Sequence, residues 1–260
     1  MKKKDWVVAI VAGLLIGIIA SIIGAPGLLA GYQSAQATGT LNQALTLVLN
    51  SHTKWRTAKG EAEITWYGPN GDKQTYIDRF QIVQPLSAYV DGVNKDQPGF
   101  NDDGIWISNG TEAYTVSKKT NTFRMTGLPK FASDLSRMPK TLAEVQTDTV
   151  YSHPFAMLIS DPVTENIYSE WFAQGAKLST FTLDGEGNLL GRRAWIITAH
   201  SQTDGITAWI DQATGMILKY IQIQDGKKFA EAAFTSLVID QPIDAVVFRV
   251  PAQYHLAEQP

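Results

Sequence analysis

The sequence of 260 residues contains no cysteine. That absence excludes a disulfide scaffold, a thiolate metal site, a cysteine nucleophile and the lipid-modified cysteine of a bacterial lipoprotein. Charge is also scarce, at 18% of residues, with 22 basic against 25 acidic side chains and a net charge of -3. The positive charges are not pooled as a phosphate backbone would require, so nucleic acid is not an expected partner. A hydrophobic share of 44% with so little charge excludes a disordered chain.

The short motifs of catalysis and cofactor binding are missing as well. There is no Gly-x-Ser-x-Gly elbow, no Gly-x-x-x-x-Gly-Lys-Ser/Thr phosphate loop and no His-Glu-x-x-His zinc pair, and His52, His153, His200 and His255 lie far apart in the chain. Asp184-Gly185-Glu186-Gly187-Asn188 opens like a calcium loop, but its twelfth position is Trp195, where a bidentate Glu is needed. The spaced glycines through Gly191 have no helix after them, which excludes a dinucleotide loop. Asn109-Gly110-Thr111 has the form of a glycosylation sequon and reads as a hairpin turn. No catalytic residue, metal or cofactor is expected.

What is present begins with an apolar run. No charged side chain occurs from Trp6 to Gly31, and Val7 to Ile23 is almost entirely Val, Ile, Leu, Ala and Gly. A helix needs about 20 such residues to cross a bilayer. Lys2, Lys3 and Lys4 precede the run, so the positive-inside rule predicts export of everything after Gly31. Residues 1–37 carry +2, which leaves -5 on the remainder. The segment is read as an uncleaved single-pass membrane anchor, because a signal-peptide core is usually about 7 to 15 residues. Cleavage near Ala37, after the small-x-small triplet Ala35-Gln36-Ala37, is the alternative and would leave a secreted or periplasmic protein.

The remainder reads as one domain over residues 38–251, with a flexible linker from Ala30 to Gly39 and a flexible tail from Ala252 to Pro260. Leu41, Leu45, Val48 and Leu49 predict an amphipathic helix over Thr40 to Trp55, opened by a Thr40/Gln43 capping box. The period then changes to two, and strands are predicted at Glu61 to Trp66, Gln74 to Gln84, Ser87 to Val93, Ile105 to Ser108, Glu112 to Ser117 and Thr122 to Thr126. Helical spacing returns at Asp134 to Thr147, shortened or kinked by Pro139, and at Asp161 to Gln174. Later strands are predicted at Lys177 to Asp184, Arg192 to Ser201, Thr207 to Asp211, Ile217 to Gln224, Phe229 to Ile239 and Val246 to Val250. A turn is predicted over Asp184 to Gly191. The fold class is α+β: one large, curved antiparallel β-sheet covered by helices, preceded by the transmembrane helix.

Ala62, Ile64 and Trp66 alternate with Glu61 and Glu63, which puts one face inward. Strands such as Ala194 to Ile197 and Ile206 to Ile210 are apolar on both faces and need cover on both. An interior of this kind either packs solid or holds an apolar ligand. Its candidate lining is Ile64, Trp66, Phe80, Ile82, Phe123, Met125, Leu142, Trp171, Trp195, Ile197 and Trp209.

The run from Gly191 to Ala199, then Thr207-Ala-Trp-Ile-Asp-Gln-Ala-Thr-Gly-Met-Ile-Leu-Lys-Tyr220, Phe234 and Phe248-Arg-Val-Pro251 resembles the LolA-like superfamily. This superfamily includes the lipoprotein carrier LolA, the regulator RseB and lipid-binding lipoproteins of the LppX type. Trp209, Asp211, Thr214 and Gly215 carry the Trp-x-Asp strand end and Thr-Gly turn, and the order of elements extends the likeness over about residues 40–251.

The resemblance implies an unclosed barrel or half-barrel whose cavity takes lipid or lipoprotein acyl chains without catalysis. No position matches the family's ligand-guarding arginine, and an anchored chain departs from a freely diffusing carrier. Two other readings stand beside a membrane-anchored acyl-chain binder. One is an RseB-like envelope-stress regulator with an envelope protein as partner, an anti-sigma factor; the other is a secreted hydrolase with a dispersed site.

Overall fold

A computed structural model describes residues 35–96, 104–146, 152–159, 162–174 and 179–258, with side chains from residue 39 onward. The Trp6 to Gly31 run lies outside the described residues. Within them, no helix is long and apolar enough to cross a membrane.

The chain opens with helix α1 (Ala35–Leu49) and a 3-10 turn (Ser51–Thr53). Six strands follow: β1 (Thr57–Tyr67), β2 (Lys73–Val83), β3 (Ser87–Asn94), β4 (Gly104–Asn109), β5 (Glu112–Ser117) and β6 (Thr122–Gly127). Two five-residue helices, α2 (Val163–Ile167) and α3 (Glu170–Gln174), precede β7 (Thr180–Leu189), β8 (Arg192–His200), β9 (Gly205–Asp211), β10 (Ile217–Gln224), β11 (Lys227–Ile239) and β12 (His255–Leu256). All twelve strands join one sheet in the order β12-β6-β5-β4-β3-β2-β1-β11-β10-β9-β8-β7. β12 and β7 are its two edges and do not pair with each other, so the sheet stays open. Every neighbouring pair is antiparallel except β12 with β6.

The centre of the sheet is the β1–β11 seam, which runs from Ala58 opposite Ile239 to Trp66 opposite Ala230. A bulge between Glu61 and Ala62 bends it. Gly60 sits one residue before that bulge, where a β-carbon would lie 2.1 Å from the Ser236 carbonyl oxygen; only glycine admits that approach.

Alternation assigns the faces. Ala58, Ala62 and Ile64, across from Ile239, Phe234 and Ala232 on β11, are completely buried, beneath α1 and the segments after β6. On the outer face, Ile105, Ile107 and Val116 form a second cluster under Phe248, with Phe123 and Tyr254 packed beside them.

Six expectations are corrected. Thr40 lies inside α1, which begins five residues earlier, so it is not the cap. Residues 134–146 form turns in place of a helix. Pro139 supplies no N–H, Asp134 accepts from the Ser136 amide and Glu144 from the Lys140 amide, and these local bonds compete with the helical ladder. Met138 and Val145 are buried there all the same. The helix over 161–174 is divided at Tyr168, whose φ of -105° and ψ of 78° end α2. Val246 to Val250 is a 3-10 turn (Ala245–Phe248) capped by Asp244, whose carboxylate accepts from the Val246 amide, and His255–Leu256 of the tail pair with Thr122 and Phe123. The Asp184 to Gly191 stretch is mostly strand; its bulge falls at Leu183/Gly185, and the chain reverses at Leu190 and Gly191, both with positive φ.

The turn between β9 and β10 docks the helical layer. Asp211 is buried, and its carboxylate accepts from Arg192 through Nε at 3.0 Å and Nη2 at 2.7 Å. It also accepts from the Thr214 amide at 2.9 Å and the Thr214 hydroxyl at 2.6 Å. The next residue, Gly215, has φ +77°, and a β-carbon on it would lie 2.7 Å from the Leu47 carbonyl oxygen of α1. Its own carbonyl accepts from Ser169 Oγ at 2.7 Å, while Asn166 Nδ2 donates to the Ile217 carbonyl at 2.9 Å. α1, α2 and the Ser169 link that leads into α3 are thus held to this turn.

Two substitutions should register that docking in urea unfolding. Gly215→Ala should cost at least about 1–2 kcal/mol from the left-handed backbone alone, and more from the Leu47 contact. Asp211→Ala strands Arg192 and the Thr214 donors, with an expected loss of roughly 3–5 kcal/mol.

Candidate ligand-binding site

The sheet brings together six of the proposed lining residues on its inner face. Ile64, Phe80, Ile82 and Ile197 are completely buried there, Trp195 nearly so, and Trp66 is half-buried against Tyr76, with ring centroids 5.3 Å apart. Leu142 and Trp171 belong to the covering layer and pack on the same core. Three residues are not with them. Phe123 lies opposite Val116, in the outer cluster. Met125 faces outward beside Tyr114 and is 50% exposed. Trp209 alternates with buried Ala208 and Ile210, and the Lys219 ammonium lies 5.3 Å from its ring centroid.

The middle of the inner face is lined by small side chains. Ala58, Ala62, Ala88, Ala208, Ala230 and Ala232, on β1, β3, β9 and β11, are all completely buried. Alanine is depleted in strands because it fills little of the pleated surface. Here the alanines alternate with large side chains of the same face, Phe80, Phe234 and Tyr220, which are buried with them, and Phe172 of the cover meets Phe181 of β7 at 5.3 Å.

Polar groups are enclosed in the same interior. Asp78, between Tyr76 and Phe80 on β2, accepts from the Val163 amide at 3.3 Å and so ties the start of α2 to the sheet. Glu165 of α2 receives a hydrogen bond from the Tyr220 hydroxyl at 3.3 Å. The residue keeps some solvent exposure, but its carboxyl group is enclosed, and that burial raises its pKa to about 7.

A denser polar group lies where α1 ends. Glu170 is completely buried, and its Oε1 meets His52 Nδ1 at 2.8 Å and the His52 amide at 3.3 Å. The His153 ring stacks on Tyr168 at 4.2 Å and lies 5.5 Å from the His52 ring. Burial, aided by His52, lowers the His153 pKa to about 3, so its imidazole is neutral. Gln84 Nε2 donates to the His52 and Trp55 carbonyls at 2.6 and 2.9 Å and fixes this segment to the end of β2. Among the described residues no set of three His, Asp or Glu is arranged to hold a metal.

Sequence reasoning missed all of these polar groups. The one available signal was Glu165 and Glu170 standing within the apolar run of Val163, Ile167, Trp171 and Phe172.

The raised Glu165 value has a pH signature. A folded pKa above the ordinary 4.5 means that folding takes up a proton between the two values, so stability declines as pH rises from about 4.5 to about 7. The slope is at most about 1.4 kcal/mol per pH unit. His153 acts in the opposite sense, its stabilisation being lost as pH falls below about 6.5. The difference between wild type and Glu165→Gln in urea titrations isolates the first effect: the variant should gain relative to wild type across pH 4.5 to 7 and hold that gain above it.

No protein-family model and no curated protein matches the chain. Solved structures do. An uncharacterized conserved protein from Thermus thermophilus is 12% identical, with a TM-score of 0.45 over 85% of this chain and 99% of that one. MucB is 15% identical, with a TM-score of 0.45 over 87% of this chain and 66% of its own. The lipoprotein LppX of Mycobacterium tuberculosis is 11% identical, with a TM-score of 0.42 over 80% and 98%.

Proposed function

We propose that the protein is a non-catalytic binder of lipid or lipoprotein acyl chains. They lie between the open sheet and its helical cover, in a domain held on the extracytoplasmic side of a membrane by the Trp6 to Gly31 segment. The observation that carries this reading is the apolar inner face of an unclosed sheet, built from alanines and large rings together and roofed by two five-residue helices and α1. Short helices tied at a few points can part from a sheet more readily than a long packed helix, and an acyl chain needs an apolar surface without directed polar contacts. Phe80, Ile82, Ile197 and Trp195 supply such a surface, with Trp171 above it.

The full-length chain, extracted in mild detergent and analysed by native mass spectrometry, should carry acyl lipid at near one per chain. Ala232→Leu and Ala62→Leu raise the floor. Retained lipid should drop several-fold in these variants while the melting temperature stays near that of wild type. An interior packed solid by the protein's own side chains would give the reverse, no lipid in wild type and an overpacking loss of roughly 1–3 kcal/mol in the variants.

A further inference from the structure

The polar group at the end of α1 holds more hydrogen-bonding capacity than the protein uses. Ser51 Oγ, Trp55 Nε1, both ring nitrogens of His153, the Tyr168 hydroxyl and Glu170 Oε2 are buried with no hydrogen-bond partner among the described residues. Each of the five residues is at most 5% exposed. They lie on neighbouring segments: His153 stacks on Tyr168, Trp55 lies 5.7 Å from the Tyr168 ring, Glu170 reaches the same place through His52, whose ring is 5.5 Å from that of His153, and Ser51 precedes His52 in the same 3-10 turn. An unsatisfied buried polar atom costs about 1–3 kcal/mol, and native proteins keep few of them. Six in one place point to a polar ligand.

Their chemistry limits what that ligand is. Trp55 only donates, neutral His153 donates through one nitrogen and accepts through the other, and Glu170 accepts. An ammonium cannot satisfy the donors. A phosphate would face the Glu170 carboxylate, and none of the five residues is a lysine or arginine. Hydroxyl groups donate and accept, and aromatic walls suit the carbon faces between them. The group also adjoins the proposed acyl space, because Phe155 bridges Tyr168, at 6.4 Å, to Trp106 of the core, at 5.9 Å.

We propose that Ser51, Trp55, His153, Tyr168 and Glu170 bind the neutral, hydroxyl-bearing headgroup of the lipid whose acyl chain lies on the inner face. This assignment rests on the acyl-binding reading and adds the class of headgroup.

The test uses the full-length chain in mild detergent and competition against a fluorescent fatty acid by 1-monooleoylglycerol, methyl oleate and oleoyl lysophosphatidic acid. Monooleoylglycerol should bind at least about tenfold tighter than methyl oleate, as one or two new hydrogen bonds would provide. The lysophosphatidic acid should bind no tighter than methyl oleate. Glu170→Gln and His153→Phe should reduce the tenfold preference to below about threefold with methyl oleate binding unchanged. Ser51→Ala, the smallest change, should halve it or more and serves if either larger substitution unfolds the chain.

Equal binding of monooleoylglycerol and methyl oleate by wild type would overturn the headgroup assignment and leave acyl binding standing. So would a preference that survives all three substitutions, or tighter binding of the phosphate lipid. Failure of every oleoyl compound to displace the probe would overturn both readings.

Discussion

The pairing of β1 with β11 is the constraint on which everything else depends. It joins a meander built from residues 57–127 to one built from residues 180–239, and only the joined sheet is wide enough to give the helices a common floor. Ala58, Ala62 and Ile64 on one side of the seam and Ala232 and Phe234 on the other are buried by the same covering segments. Separated, each meander would expose an apolar face to water.

The second fixed point is the Asp211 turn. One carboxylate organises Arg192 and Thr214, and the Gly215 that follows admits the backbone of α1 to van der Waals distance. Because Ser169 and Asn166 bond to the same reversal, helices distant in sequence share one mooring. The Trp-x-Asp and Thr-Gly residues behind the family resemblance therefore have a structural task, positioning the cover over the inner face.

The legible parts of the fold were those with a strict period and a chemically marked turn. β2 through β6 follow alternation broken at Gly71, Asn109-Gly110 and Asn121, and their limits were readable to within a residue or two. Helical spacing over Leu135, Met138, Leu142 and Val145 misled because irregular turns bury the same side chains. The apolar run Val246 to Val250 was too short to separate strand from 3-10 turn, and a two-residue strand such as β12 has no period at all. The lining residues were partly readable. Ile64 and Phe80 stand on strands with one plainly inward face, whereas the rings of Phe123 and Trp209 lie on the outward face of their strands, where only the register distinguishes inside from outside. The polar group of His52, His153 and Glu170 had no local spacing to announce it, since three separate segments assemble it.

The seam also governs how the molecule comes into being. Ala58 must find Ile239, and nearly the whole length of the domain lies between them. Such distant closure is slow, because the entropy of a long loop must be overcome before any contact rewards it. During synthesis the first six strands emerge long before β11, with β1 as an unpaired edge and an apolar surface uncovered. A nascent chain in that condition is a substrate for chaperones, and an added lipid or detergent would find its widest access then, before the last hundred residues arrive to complete the floor.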